Sequence, residues 1–160
     1  MGKKDDKTNV MRVLDQKKID YIPHSYTKDA TLTGEEIASS LGEDVNKVFK
    51  TLVTQGKTGE YYVFSIPVDK ELDLKKAAKA VGEKSVTMLK QKDLLPLTGY
   101  VHGGCSPIGM KKLFKTVFQK EAEDYETIFF SGGKVGFQVE VHLLDVKPII
   151  RYTLDDVITE

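Results

Sequence analysis

Cysteine is almost missing from this chain. Cys105 is the only one among 160 residues, so there can be no internal disulfide and no structural zinc site of the common cysteine-rich kinds. Long apolar runs are missing too: none approaches the roughly 18–20 residues that span a bilayer. The start of the chain, Met1-Gly2-Lys3-Lys4-Asp5-Asp6-Lys7, is polar and lacks the apolar stretch of a secretory signal, and Asp6 stands where a myristoylation motif needs Ser or Thr. These absences point to the cytoplasm, with no membrane partner. Residues 1–7 read as a disordered polar tail and residues 8–160 as a single domain, since one domain usually takes about 100–200 residues.

An excess of either charge is also lacking. The 24 basic and 24 acidic residues cancel, unlike the basic surface of a nucleic-acid packaging protein. Only Arg12 and Arg151 are arginines. Positive charge is therefore almost all lysine, a point charge that suits phosphate better than base edges. The three histidines, His24, His102 and His142, are dispersed and have no partner at metal-ligand spacing. No glycine-rich phosphate fingerprint follows a strand and opens a helix, which argues against a Rossmann or P-loop unit. Neither a metal nor a cofactor is expected.

What is present is a set of short, well-punctuated elements. Val10, Val13 and Leu14 share one face of a helix over 9–17. A strand follows over 21–26, its Pro23 suited to a sheet edge. Thr33-Gly34-Glu35-Glu36 has the form of a capping box, opening a helix that Gly42 ends. Asp44 can cap a further short turn. Residues 49–54 and 61–66, rich in β-branched and aromatic side chains, form a hairpin around the loop 55–59. Asp73 caps a helix through Leu74, Ala77, Ala78 and Val81, with Gly82 as its stop. A short strand near Val86 and a helical turn over 93–97 precede Gly99 to Gly109, where four glycines and a proline forbid regular structure. Residues 112–118 alternate as a strand, 127–131 and 135–141 form a second hairpin across Gly132-Gly133-Lys134, and 143–150 is a last helix containing Pro148. Hairpins interleaved with helices make this an α+β chain with a mixed, mainly antiparallel sheet on which helices pack.

Two segments carry candidate chemistry. Lys50 lies between Phe49 and Leu52 at the start of a β-rich run, either on a solvent-facing strand side or aimed into a cleft as a cation for a phosphate or a polarised carbonyl. The glycine loop over 103–109 is either a tight turn or a backbone cradle, since glycine N–H groups can approach a developing oxyanion closely. Ser131-Gly132-Gly133 has the same ambiguity: a hairpin turn, or a serine lining the same cavity.

Taken together, His24-Ser25-Tyr26, Val48-Phe49-Lys50-Thr51-Leu52, Leu74-Lys75-Lys76-Ala77-Ala78-Lys79, Gly103-Gly104-Cys105-Ser106-Pro107-Ile108-Gly109 and Ser131-Gly132-Gly133-Lys134 resemble, in order and over nearly the whole chain, the YbaK/EbsC family of freestanding editing domains. These are relatives of the insertion domain of prolyl-tRNA synthetase, known as Cys-tRNA(Pro) deacylases. The resemblance implies that family's partly barrel-like fold. It implies that Lys50, Gly103 and Gly104 are catalytic, the glycines offering N–H groups to the aminoacyl carbonyl, and that Tyr26, Thr51 and Ser131 bind substrate. Lys75, Lys76, Lys79, Lys111 and Lys112, with Lys115 nearby, are candidates for a tRNA-facing surface.

The implied activity is trans-editing: removal of cysteine mischarged onto tRNA(Pro), with the substrate's own thiolate attacking its ester carbonyl to give a thiolactone and free tRNA. That reading explains why no nucleophile–base pair is evident, and it leaves Cys105, where relatives often carry an aliphatic residue, outside the chemistry. The implied partners are Cys-tRNA(Pro) and prolyl-tRNA synthetase. Two alternatives stay open: a non-catalytic module binding tRNA or synthetase, and water-driven deacylation of another small amino acid such as alanine. Some relatives carry an aromatic near Thr33 and an acid near Gln138, where this chain is polar and neutral.

Overall fold

A computed structural model describes residues 7–29 and 31–160. In chain order the described elements are α1 (Asn9–Gln16), β1 (Ile22–Ser25), α2 (Gly34–Leu41), a 3-10 turn (Val45–Lys47), β2 (Phe49–Gly56), β3 (Tyr61–Pro67), α3 (Leu74–Val81), β4 (Val86–Met88), α4 (Gln91–Thr98), β5 (Lys115–Gln119), a second 3-10 turn (Lys120–Asp124), β6 (Ile128–Ser131), β7 (Phe137–Val141), α5 (Leu143–Ile150) and β8 (Thr153–Asp155). None of the described helices is long and apolar enough to cross a membrane.

The helix ends follow local chemistry. Thr33 Oγ1 accepts from the Glu36 N–H while Glu36 Oε1 accepts from the Thr33 N–H, closing the capping box on α2. Asp73 accepts from the N–H groups of Lys75 and Lys76 at the head of α3. Gly42 and Gly82 end these helices at φ 68° and 76°, the left-handed region that a Cβ resists. Of the tail expected over residues 1–7, only Lys7 lies within the described residues, where it pairs with Asp15.

Two open sheets form the β layer, ordered β4-β2-β3-β5-β8 and β1-β7-β6. The two hairpins, β2–β3 and β6–β7, are antiparallel as expected. β3–β5 and β5–β8 are parallel, because β5 enters from the long excursion through α3, β4 and α4 rather than through a tight turn. The implied partly barrel-like fold stays open: among the described residues, the two sheets are hydrogen-bonded to each other at one isolated bridge, between Val48 and Phe129. The expected strand over 112–118 starts late, at Lys115, where it first meets Tyr62 of β3.

Side-chain alternation along the strands then assigns the layers. Phe49, Val53, Val63 and Phe118 turn from the larger sheet toward Ile128, Phe130, Val139 and Val141 of the smaller one, and α1 and α5 seal this main core with Val10, Leu14, Val146 and Ile150. Phe64, Ile66 and Val117 point the other way, under Ala77, Ala78 and Val81 of α3. A third, small cluster holds Ala38 of α2 against Val48 and Val68.

Candidate active site

β4 pairs with β2 only at Thr54–Gly56, so the Phe49–Leu52 stretch runs along an uncovered edge beside the smaller sheet. A cavity of about 320 Å³ lies there, at the lower end of the roughly 300–1,000 Å³ typical of small-ligand sites. β2 supplies Lys50 and Thr51, β6 supplies Ser131, the segment after β1 supplies Tyr26, the glycine loop supplies Gly103, and Leu32, Thr33 and Ile37 wall it at the head of α2. Tyr26, Lys50, Thr51, Gly103 and Ser131 therefore meet at one place, although 105 positions separate the first from the last.

Each reaches the wall for a local reason. Lys50 is half-buried and lines the cavity with Leu52 and Val68. Ser131 serves in both ways that its sequence allows: its hydroxyl accepts the Gly133 N–H at 3.1 Å, closing the β6–β7 turn, and it lines the cavity. Burial pushes the Tyr26 phenol above its ordinary range, against a backbone hydrogen bond with Gly136, so it is a neutral hydroxyl at pH 7.

The two adjacent glycines differ. Gly103, at φ 87°, lines the cavity. Gly104 does not. Its N–H donates to Val101 O at 3.0 Å, and an added Cβ would stand 3.2 Å from Val135 N and 3.3 Å from Lys134 Cα. Gly104 thus lets the loop lie against the β6–β7 turn, and its N–H is spent within the loop rather than offered to a substrate carbonyl.

Cys105 also touches the cavity. It is 9% exposed, and burial pushes its thiol up to about 12. A thiol in that state is neutral at pH 7 and a poor nucleophile. His24 is satisfied elsewhere, with Nε2 3.0 Å from Glu140 Oε1 and its ring tilted against Phe129. His102 lies at the cavity, next to Gly103.

The lysines proposed to face tRNA do not line the cavity. Lys75, Lys79, Lys111 and Lys112 are exposed, Lys111 reaching Pro96 O at 3.3 Å. Lys76 is committed within the chain: its Nζ donates to Asp156 Oδ2 at 3.1 Å and to Ile158 O at 2.8 Å, so using it on a phosphate would mean breaking both. It borders a second hollow of about 340 Å³ beside Gln119, Glu121 and Asp156. There the lysines are matched by carboxylates, the glycine loop is absent, and nothing converges as it does at Lys50.

Sequence reasoning missed Glu43 as part of the site and took Gln138 only as a neutral departure. Gln138 lines the cavity while 3% exposed, and its Nε2 donates to Glu43 Oε1 at 2.9 Å. Glu43 follows the stop of α2 and lies 95 positions from Gln138, so no local pattern signals the pair.

Comparison with known proteins identifies the family. The sequence profile described as "Aminoacyl-tRNA editing domain" matches residues 28–148. A protein of Enterococcus faecalis, EbsC, to which Cys-tRNA(Pro)/Cys-tRNA(Cys) deacylase activity is ascribed, is 48% identical over 140 residues, covering 87% of this chain and 85% of its own. The proline–tRNA ligase of Fervidobacterium nodosum is 32% identical over 79 residues, 49% of this chain and 14% of that enzyme. A crystal structure described as a trans-editing enzyme for prolyl tRNA synthetase superposes with a TM-score of 0.79 at 21% identity, over 94% of this chain and 95% of that one. All the convergent residues but Tyr26 lie inside the matched region, and the chain belongs to the aminoacyl-tRNA editing domain family.

Proposed function

We propose that this protein is a trans-editing deacylase that removes cysteine from mischarged tRNA(Pro). The observation that carries the reading is the convergence of Tyr26, Lys50, Thr51, Gly103 and Ser131 on one small cavity, in a chain 48% identical to a protein with that ascribed activity. The cavity has room for an aminoacyl group and part of the terminal nucleotide, not for a duplex stem, so the tRNA body stays outside.

The need for such an enzyme is physical. Apolar pockets separate amino acids differing by a methylene by only about 1–3 kcal/mol, so a synthetase that admits cysteine in place of proline needs a second site. The substrate brings its own nucleophile. With a free-thiol pKa of about 8.5, a few per cent of its side chain is thiolate near neutrality. That thiolate attacks the ester carbonyl, the C–O bond to the ribose breaks, the ribose oxygen leaves with a proton, and a thiolactone is released. The protein holds the chain folded back, an orientation effect that can reach about 7–11 kcal/mol, less the strain of the small ring. In this reading the Gly103 N–H and the Lys50 ammonium stabilise the developing oxyanion, where one donor is typically worth about 3–4 kcal/mol. The neutral thiol of Cys105 has no part in this, which supports attack by the substrate.

In this reading residues 8–160 form the editing unit and act in the cytoplasm beside prolyl-tRNA synthetase, which supplies the tRNA's identity. With no net charge, the protein alone has little long-range pull on phosphate. The test is multiple-turnover release of tRNA from Cys-tRNA(Pro) at catalytic protein concentration. Turnover is expected; binding at one-to-one stoichiometry without release would instead make the protein a recognition module.

A further inference from the structure

Thiolactone formation moves one proton and consumes none. The cysteine thiol loses a proton as its sulfur closes on the carbonyl carbon, and the ribose oxygen gains one as the C–O bond breaks. Left to solvent, the first step draws only on the few per cent of thiol that is ionised near neutrality, and the second expels an alkoxide. A side chain that takes the proton from sulfur and returns it to oxygen lowers both barriers, and such positioned proton transfer is typically worth about 10²–10⁴-fold in rate.

The cavity wall leaves one group for that task. Among the described residues no carboxylate lines it, and Glu43 stands behind Gln138 with its Oε1 tied to the amide. Burial pushes the Tyr26 phenol above its ordinary range and the Cys105 thiol up to about 12, so both keep their protons at pH 7. Threonine and serine hydroxyls do not trade protons at neutral pH without a base beside them. Lys50 already serves this mechanism as the ammonium that faces the oxyanion. His102 remains, and histidine is the side-chain type that both takes and gives a proton near neutrality. The other two histidines are committed: His24 Nε2 stands 3.0 Å from Glu140 Oε1, and His142 Nδ1 lies 2.7 Å from Glu126 O. Among the described residues His102 has no hydrogen-bond or ion-pair partner. It is exposed, at the cavity, on the turn that the Gly104 N–H closes onto Val101 O. Gly103, its neighbour, lines the same wall at φ 87°. In the tetrahedral intermediate the oxyanion and the leaving ribose oxygen share one carbon, so an oxyanion held by the Gly103 N–H brings the leaving oxygen to the same turn. The tRNA body stays outside the cavity, which puts the ribose at the mouth, where an exposed side chain meets it.

We infer that His102 is the proton shuttle of the deacylation. Its neutral imidazole takes the proton from the substrate thiol as the sulfur attacks the carbonyl carbon, and the imidazolium so formed gives that proton to the ribose oxygen as the C–O bond breaks. The imidazole ends as it began, ready for the next ester. The inference rests on the editing reading and adds to it a catalytic residue, one that draws on the whole thiol population rather than on the ionised fraction alone.

The experiment measures kcat and KM separately on cysteinyl-tRNA(Pro) for the wild-type protein, His102→Ala and His102→Gln, each with and without free imidazole in the buffer. Both variants should lose roughly 10²-fold in kcat, the low end of the range for positioned proton transfer, with KM little changed. Imidazole, which can enter at an exposed position, should restore a large part of the loss to His102→Ala. It should leave the wild-type protein unchanged and do nothing for Lys50→Ala, whose defect is not a missing proton carrier. His102→Gln keeps a polar side chain of similar reach, so it carries the kcat comparison if His102→Ala does not fold. A wild-type kcat in both variants would overturn the inference and leave the deacylase reading intact. A loss of kcat that imidazole does not restore would make His102 part of the turn's structure, and a rise in KM alone would make it a contact to the terminal nucleotide; either also overturns the inference. No turnover of cysteinyl-tRNA(Pro) by the wild-type protein would remove the editing reading itself, and this inference with it.

Discussion

Cys105→Ala separates a protein thiol that packs from one that reacts. Burial holds the Cys105 thiol at about 12, against an ordinary value of 9.0. Its ionisation therefore favours the unfolded chain. The sign follows directly: below pH 9 neither state is ionised and the thiol contributes nothing to the pH dependence. As pH rises above 9 the unfolded chain loses its proton first and the native state is progressively destabilised, until the folded thiol titrates as well. Three pH units at about 1.36 kcal/mol each set an upper scale of about 4 kcal/mol, of which about 1.4 kcal/mol is present at pH 10. Tyr100, also pushed up to about 12, chiefly by burial and in lesser part by Cys105, adds its own slope above pH 10, most of which the substitution leaves in place.

Urea melts of the wild-type protein and Cys105→Ala at pH 7 and pH 10 should show the variant weaker by about 1 kcal/mol at pH 7, the ordinary scale of a small core substitution. That deficit should be cancelled or reversed at pH 10. Deacylation at pH 7 should stay within about threefold of wild type, since a neutral thiol that attacks nothing is not missed. A loss of a hundredfold or more with the fold intact, or alkylation of the native thiol as fast as free cysteine, would refute the reasoning and make Cys105 the nucleophile.

Lys50→Ala should lower kcat by about 10²–10³, the cost of removing one oxyanion-stabilising group, with single-turnover kinetics as the measurement; a wild-type rate would remove the lysine from the mechanism. Thr33→Ala should cost about 1 kcal/mol in urea unfolding by opening the capping box on α2. If exposed lysines hold the tRNA, log kcat/KM should fall linearly with log salt, and replacing Lys111 and Lys112 together should reduce that slope by up to about 2. Lys76→Ala should leave the slope unchanged, because that ammonium is already held by Asp156.

What could be read from the sequence was what is locally determined. The capping box at Thr33, the Asp73 cap and the Gly42 and Gly82 stops act within four residues, and each appears where its chemistry requires. Both hairpins follow from adjacent strand patterns. The parallel β3–β5 and β5–β8 pairs and the three-residue β8 depend on contacts between distant segments, which periodicity does not encode, and so does the way the partly barrel-like arrangement stays open as two sheets. The site divides in the same way. Lys50 and Gly103 stand out by residue type in unusual local settings. That Gly104 spends its N–H on Val101, that Lys76 is held by a residue 80 positions away, and that Glu43 stands behind Gln138 are consequences of tertiary packing.

The most direct measurement exchanges the cysteine of the tRNA ester for 2-aminobutyrate, which puts a methyl group where the sulfur was and leaves the α-amine, ester and tRNA unchanged. If the guest's sulfur does the cutting, cysteinyl-tRNA(Pro) is cleared rapidly, its released product is the thiolactone or its ring-opened form, and the 2-aminobutyryl ester survives at close to its uncatalysed rate. Equal clearance of the two esters would contradict the account and make water the nucleophile.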